Sequence, residues 1–272
     1  MPDLTVYDKL ENAWQKQNSL LCVGLDPEDE RLPRSMSDTT TPYFDFCRDI
    51  VDATAPYACA FKPQAAHFAA VGREDELAAV IAYVRTNYPD LLVVLDAKRG
   101  DVGSTARYYA REAYERYDAD VVTLSPYLGY ESVEPYLEYS DHGVILLCRT
   151  SNADSDWLQN SPQDQNPIYQ RVAQRVVEWN GGQQCMLVAG ATYPEELGRI
   201  RQIVGDMPLL VPGIGAQGGD LLGVMAHGLD NKGTGMLISS SRGILYAERG
   251  EKYASAAASA ARTLRDEINS YR

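Results

Sequence analysis

Eight short runs of continuous apolar residues recur along the chain, separated by segments whose apolar positions repeat every three or four residues. The runs are SLLCVGLD (Ser19 to Asp26), YACAFKP (Tyr57 to Pro63), LLVVLDAK (Leu91 to Lys98) and DVVTLSP (Asp120 to Pro126). They continue with GVILLCRT (Gly143 to Thr150), QCMLVAG (Gln184 to Gly190), PLLVPGIG (Pro208 to Gly215) and GMLISSSR (Gly235 to Arg242). Continuous rather than alternating apolar character predicts parallel strands covered on both faces. Helical periodicity fills the intervals in EDELAAVIAYVRTNY, STARYYAREAYERY, PIYQRVAQRVVEWN and KYASAAASAARTLRDEI. Eight strands, each followed by a helix, in 272 residues match one (β/α)8 TIM barrel. A doubly wound sheet would show fewer strands and a nucleotide fingerprint after the first. The expected fold class is α/β, with residues 1–272 forming one barrel domain. The longest irregular segment, SNADSDWLQNSPQDQNP after the fifth strand, reads as a cover or an insertion.

Composition narrows the function classes. Apolar residues at 45% and charged residues at 23% support a large core. A net charge of −13 excludes duplex nucleic acid and anionic membrane as partners, yet a few local cations can still hold a small phosphorylated ligand. No apolar stretch is long enough to span a bilayer. The acidic, polar opening MPDLTVYDKLENAW lacks the features of a secretory signal, so a cytoplasmic protein is expected. Five scattered cysteines without a CxxC read as buried free thiols of a reducing compartment. His67, His142 and His227 share no metal-ligand spacing, so no structural zinc site is expected.

Most of the strand candidates end in polar residues: Asp26, Lys62, Asp96 with Lys98, Ser125, Thr150 with Ser151, and Arg242. Barrels of this kind build their sites at that edge. The densest chemistry is LDAKRGDVGST, Leu95 to Thr105. Asp96 and Lys98, two apart on a strand, leave the same face, Asp101 follows in the loop, and Lys62 ends the neighbouring strand. Four charges of alternating sign around one pocket would keep both carboxylates ionised and both lysines protonated. A purely structural ion-pair network is the competing explanation, but it carries a desolvation cost that apolar residues would avoid. The loops VPGIGAQGGD and SSSRGI leave the seventh and eighth strands, where such barrels commonly hold phosphate. Gln217 supplies an amide there, Arg242 a planar fork, and Gly243 a backbone free of side-chain bulk.

These residues resemble the orotidine 5′-phosphate decarboxylase family, in its longer and mainly bacterial subgroup. LDAKRGDVGSTA resembles that family's Asp-x-Lys-x-x-Asp signature, and VGLD, FKP, LSPYLG, CRTSN, VPGIGAQGGD and SSSRG follow in the family's order over nearly the whole chain. The resemblance implies decarboxylation of orotidine 5′-phosphate to uridine 5′-phosphate without metal or organic cofactor. It assigns Lys98 as proton donor to C6, Asp96 as the carboxylate beside the departing group, and Lys62 as the link to the ribose. Asp26 matches the ribose-binding acid, and Gln217 and Arg242 match the phosphate ligands. Asp101 and Thr105 match residues that cross a homodimer interface into the neighbour's site. Ser151 or Thr150 corresponds to the residue that contacts the pyrimidine, and the register between them stays open.

Blander explanations accompany several of these positions. Thr105, like Ser104, suits a helix N-cap, Asp26 suits a turn before Pro27, and Ser125 before Pro126 suits a structural role. Two rival functions remain at this level. A metal-dependent sugar-phosphate decarboxylase or synthase of the same superfamily would place an acidic metal ligand where this chain has Lys62. A catalytically silent phosphate-binding barrel would have lost at least one of the four charges.

Overall fold

A computed structural model describes residues 5–162, 165–214 and 219–272. Eight strands, each inside the run that predicts it except that β3 extends one residue further, close into a barrel: β1 (Leu21–Leu25), β2 (Ala60–Pro63), β3 (Leu92–Arg99), β4 (Val121–Leu124), β5 (Gly143–Arg149), β6 (Cys185–Ala189), β7 (Leu209–Pro212) and β8 (Met236–Ser240). Each strand pairs in parallel with the next, and β8 returns to β1 through Leu21 opposite Ile238. β1, β2, β4 and β6 are buried along their whole length, as strands with a filled interior and helices outside must be. The helices Glu74–Asn87, Ile168–Trp179 and Tyr253–Asn269 coincide with three of the predicted amphipathic segments. They lay Val80, Ile81 and Val84, then Tyr169, Ala173 and Val176, then Ala257, Ala261 and Ile268, into the common core.

Three local expectations are corrected. The crossover after β4 holds only two 3-10 turns and the four-residue helix Glu134–Leu137, because Pro126, Gly129 at φ 84° and Pro135 interrupt any longer helix. The segment after β3 is helical from Gly103 to Arg111 and continues as one π turn, Glu112–Arg116. Its N-cap is Val102, with no side-chain cap, so neither Ser104 nor Thr105 caps it. The polar stretch after β5 is not irregular throughout, since it forms a 3-10 turn, Ala153–Ser155, and a short helix, Asp156–Gln159. Its residues 163 and 164 lie outside the described residues.

The end of the barrel remote from the polar strand ends is locked by charge. An N-terminal helix, Val6–Gln17, starts with a Thr5–Asp8 capping box and buries Val6, Leu10, Ala13 and Trp14. Its Lys9 reaches Asp120 at 2.7 Å, just before β4, and Asp120 also accepts from Arg85 at 2.5 Å and from the Val93 backbone at 2.7 Å. Arg201 donates to the carbonyls of Gly205, Met207, Gly228 and Gly235, at 2.5, 2.7, 2.9 and 2.7 Å, fastening the starts of β7 and β8. All five cysteines are buried and free, and burial pushes the Cys22 thiol up to about 12. No helix among the described residues is long and apolar enough to cross a membrane.

Arg201→Met removes the donor shared by these four carbonyls while keeping a chain of similar length. It should lower unfolding free energy by roughly 2–4 kcal/mol in urea titration. A change below about 0.5 kcal/mol, the level of an ordinary surface substitution, would show that water replaces the guanidinium without loss.

Candidate active site

The polar strand ends other than Ser125 converge on one cavity of about 700 Å³. At its floor β3 departs from regular pairing. Its register with β4 shifts between Leu95 and Arg99, and Lys98 takes a left-handed conformation at φ 46°. A shift of this kind re-aims a side chain. The break leaves the backbone N–H groups of Ala97 and Lys98 without a ladder carbonyl, and both donate instead to the Thr123 hydroxyl, at 3.0 and 2.9 Å. The Thr123 hydroxyl itself donates to Asp96 Oδ1 at 2.9 Å.

Asp96 is thereby held between two cations. Lys62 Nζ meets Oδ2 at 2.8 Å, and Lys98 Nζ meets Oδ1 at 2.6 Å. Burial alone would raise the Asp96 pKa, but the Lys62 and Lys98 charges outweigh it and hold the carboxyl well below the usual carboxylate range. Burial likewise works against the Lys62 ammonium, and the carboxylates of Asp96 and Asp26 overcome it, raising Lys62 above the ordinary lysine value. The two lysines differ in exposure: the Lys62 side chain is 7% exposed and that of Lys98 48%.

Asp26, just beyond β1, and Ser241, just beyond β8, line the same cavity. Asp26 Oδ1 and Ser241 Oγ are both buried, and neither has a hydrogen-bond partner. Buried polar atoms are almost always satisfied, so two such oxygens on one cavity wall are places where a hydroxyl-bearing ligand would bond. Gly24 lets β1 lie close against Ser241, because a Cβ there would lie 2.7 Å from Ser241 Cβ. Arg242 and Gly243 open the short helix after β8 at the exposed rim, and Pro212, at the end of β7, and Gly213, just beyond it, line the same cavity. Gln217 lies outside the described residues, as do positions 215, 216 and 218.

The far wall is the stretch after β5. The Thr150 hydroxyl is engaged by Asn152 at 2.6 Å and by the Gln159 amide at 2.9 Å, while Ser151 lines the cavity beside Trp157 and Gln159. Neither Asp101 nor Thr105 does so: the Asp101 carboxylate accepts from the Val102 backbone at 2.8 Å, and Thr105 is exposed on its helix. The four-charge reading therefore reduces, within one chain, to Lys62, Asp96 and Lys98. Ser125 stays off the cavity and accepts from Tyr127 N at 3.5 Å, a turn-forming role. Among the described residues no group of three or more His, Cys, Asp and Glu is placed to hold a metal ion. Thr123 escaped the sequence reading. Its signal was a hydroxyl inside an otherwise apolar strand, VVTL, directly across from Asp96-Ala97-Lys98.

Comparison with known proteins agrees with this geometry. The profile of the Orotidine 5′-phosphate decarboxylase / HUMPS family matches residues 19–257. The chain is 56% identical over 272 residues to an orotidine 5′-phosphate decarboxylase from Bordetella pertussis, covering 99% of this chain and 100% of that one. An OMP decarboxylase structure from Leishmania donovani superposes with a TM-score of 0.85 at 37% identity, covering 98% of both chains. A UMP synthase structure from the same organism gives 0.87 at 38% identity, covering 98% of this chain but 56% of that longer one. The protein belongs to the orotidine 5′-phosphate decarboxylase / HUMPS family.

Because its pKa is depressed on folding, ionised Asp96 contributes stability that is present above its unfolded value near 4 and lost as pH falls toward its folded value. Lys62, with its pKa raised, contributes stability that is present below about pH 10 and lost only above it. Between about pH 5 and pH 3, urea midpoints should therefore fall more steeply for the wild type than for Asp96→Asn. Parallel slopes would mean that Asp96 titrates as it does in the open chain.

Proposed function

We propose that the protein decarboxylates orotidine 5′-phosphate to uridine 5′-phosphate and carbon dioxide, the final step of UMP formation, as one catalytic domain. The observation that carries this reading is the Lys62–Asp96–Lys98 chain of charges on the cavity floor, with the more exposed Lys98 turned to the open side. The relatives' names point the same way.

The substrate lies across the cavity. Its phosphate sits at the rim against Arg242 and Gly243, with Gln217 assigned as a further phosphate ligand on the sequence resemblance alone, and its ribose hydroxyls meet Asp26 and Lys62. Ser151, on the cavity wall beside Trp157 and Gln159, takes the pyrimidine edge. The C6 carboxylate then faces Asp96 and Lys98. When the C6–carboxylate bond breaks, its electron pair stays on C6 in the ring plane, where no carbonyl delocalises it. The Lys98 ammonium stabilises that charge and gives its proton to C6, leaving a neutral amine that solvent reprotonates. Asp96 fixes Lys98 from below and places a negative charge near the substrate carboxylate. The Thr123 hydroxyl keeps both in place, donating to the Asp96 carboxylate and accepting from the Lys98 backbone N–H. A metal-dependent relative is disfavoured by the cation at the end of β2, where Lys62 is already paired with Asp96.

The working unit is a homodimer in which Asp101 and Thr105 enter the partner's cavity. Two features support it: both residues lie off their own cavity, and Val102, Tyr108, Tyr127, Leu128 and Tyr130 are exposed on neighbouring segments. Patches of that kind mark interaction surfaces. We place the enzyme in the cytoplasm, a reducing compartment that suits five free thiols.

Loss of orotidine 5′-phosphate absorbance should proceed unchanged in a strong chelator, whereas Lys98→Ala should lower turnover by at least about 10⁴-fold and still bind uridine 5′-phosphate. Near-normal turnover by Lys98→Ala sinks the assignment, and loss of wild-type turnover to the chelator favours the metal-dependent relative. Mixing inactive Lys98→Ala with inactive Asp101→Ala should restore up to about a quarter of the dimer sites, because a mixed dimer rebuilds one intact site. No recovery after subunit exchange would place Asp101 in its own chain's site.

A further inference from the structure

Arg149, the last residue of β5, is 1% exposed and is the bulkiest side chain so deeply buried. It belongs to no part of the cavity wall, although Leu147, two residues earlier, does. The register between β5 and β6 shifts between Leu147 and Arg149, and that shift takes Arg149 out of the strand's alternation. Its guanidinium is fully engaged. Nε donates to Glu196 in the first turn of the helix Pro194–Val204. One NH2 group donates to the Ser155 hydroxyl and the other to the Asp156 carboxylate, both in the stretch that forms the far wall. The flat face lies 3.7 Å from the centre of the Tyr193 ring.

Ser155 in turn donates to the Asn152 carbonyl at 2.7 Å, so the arginine reaches the turn that carries Ser151. Two further ties fix the same turn. Thr192 donates to the Ser151 carbonyl at 3.1 Å, and Gly190 comes so near that a Cβ there would lie 2.8 Å from Ser151 Cα. The Thr150–Gln159 pair clasps the base of the stretch, with Gln159 also accepting from Thr150 N at 2.8 Å. None of these contacts extends to Asp26, Arg242 or the charged floor. A buried guanidinium with two carboxylates is an expensive way to fill space, and an apolar side chain would stabilise the fold as well. What it provides here is a fixed distance between the β6 side of the barrel and the wall.

Resting on the decarboxylase reading, we propose that Arg149 is a positioning residue that sets the 151–159 wall against the pyrimidine, so that recognition of the base depends on it and the grip on the sugar phosphate does not. The test is direct binding by calorimetry of uridine 5′-phosphate, which carries the base, and of ribose 5-phosphate, which lacks it. Asp156→Ala cuts the wall's ionic tie and leaves the Arg149–Glu196 pair intact, so it keeps the test open if Arg149→Lys does not fold. In Asp156→Ala, and in Arg149→Lys, uridine 5′-phosphate affinity should fall about tenfold while ribose 5-phosphate affinity stays within about twofold. Equal weakening of both ligands, or of neither, overturns the proposal. Binding is measured without turnover, so wild-type protein that fails to decarboxylate would overturn the functional reading and leave this one to its own result.

Discussion

A carboxylate buried at the mouth of a barrel must be neutralised, and much of the site follows from the way Asp96 is neutralised. Its two oxygens take an ammonium each, from Lys62 on the adjacent strand and Lys98 on its own. The second contact requires β3 to abandon regular pairing, which strands two backbone N–H groups, which Thr123 then accepts. Each device answers a need created by the one before, so removing a single member exposes a charge or a donor. The arrangement also divides labour between two identical side chains. The buried lysine balances the carboxylate permanently, and the half-exposed one is available to a ligand.

Much of this was legible in the sequence, and the reason is covalent. Asp96 and Lys98 stand two apart in one run and Lys62 ends the neighbouring run, so spacing and topology bring all three to one edge, while the irregularity in β3 that completes the Lys98 contact left no trace in the spacing. The strands were legible for a similar reason, since burial on both faces leaves an unbroken apolar run. What was not legible depended on partners distant in the chain. Whether Asp101 folds into its own cavity is decided by the direction of a loop, and spacing carries no information about that. Arg149 drew no notice beside Thr150 and Ser151, because the β5–β6 irregularity that turns it away from the cavity is not visible in spacing. The N-terminal helix passed unnoticed, although Thr5, Asp8 and the Val6, Leu10, Ala13, Trp14 spacing announce it. Its connection to Asp120 could not be foreseen from position alone.

The two long-range ties around the cavity serve different ends. The charged floor is fixed through backbone and short side-chain contacts between adjacent strands, and its geometry is that of the sheet itself. The far wall is a separate piece held by a single guanidinium, a clasp, the Thr192 hydroxyl and a close glycine contact. A site assembled from a rigid floor and a fastened wall can tune the fit of a ring independently of the charges beneath it.

The opposite end of the barrel carries a further consequence. Asp120 with its two cations, and Arg201 with its four carbonyls, secure strand closure at the end remote from the cavity, and the apolar interior lies between. Closure therefore asks little of the rim. Loops at the mouth can lengthen, shorten or exchange residues over generations without loosening the barrel, and the chemistry can drift while the architecture is inherited intact. The knots at the closed end are, in that sense, what makes the open end evolvable.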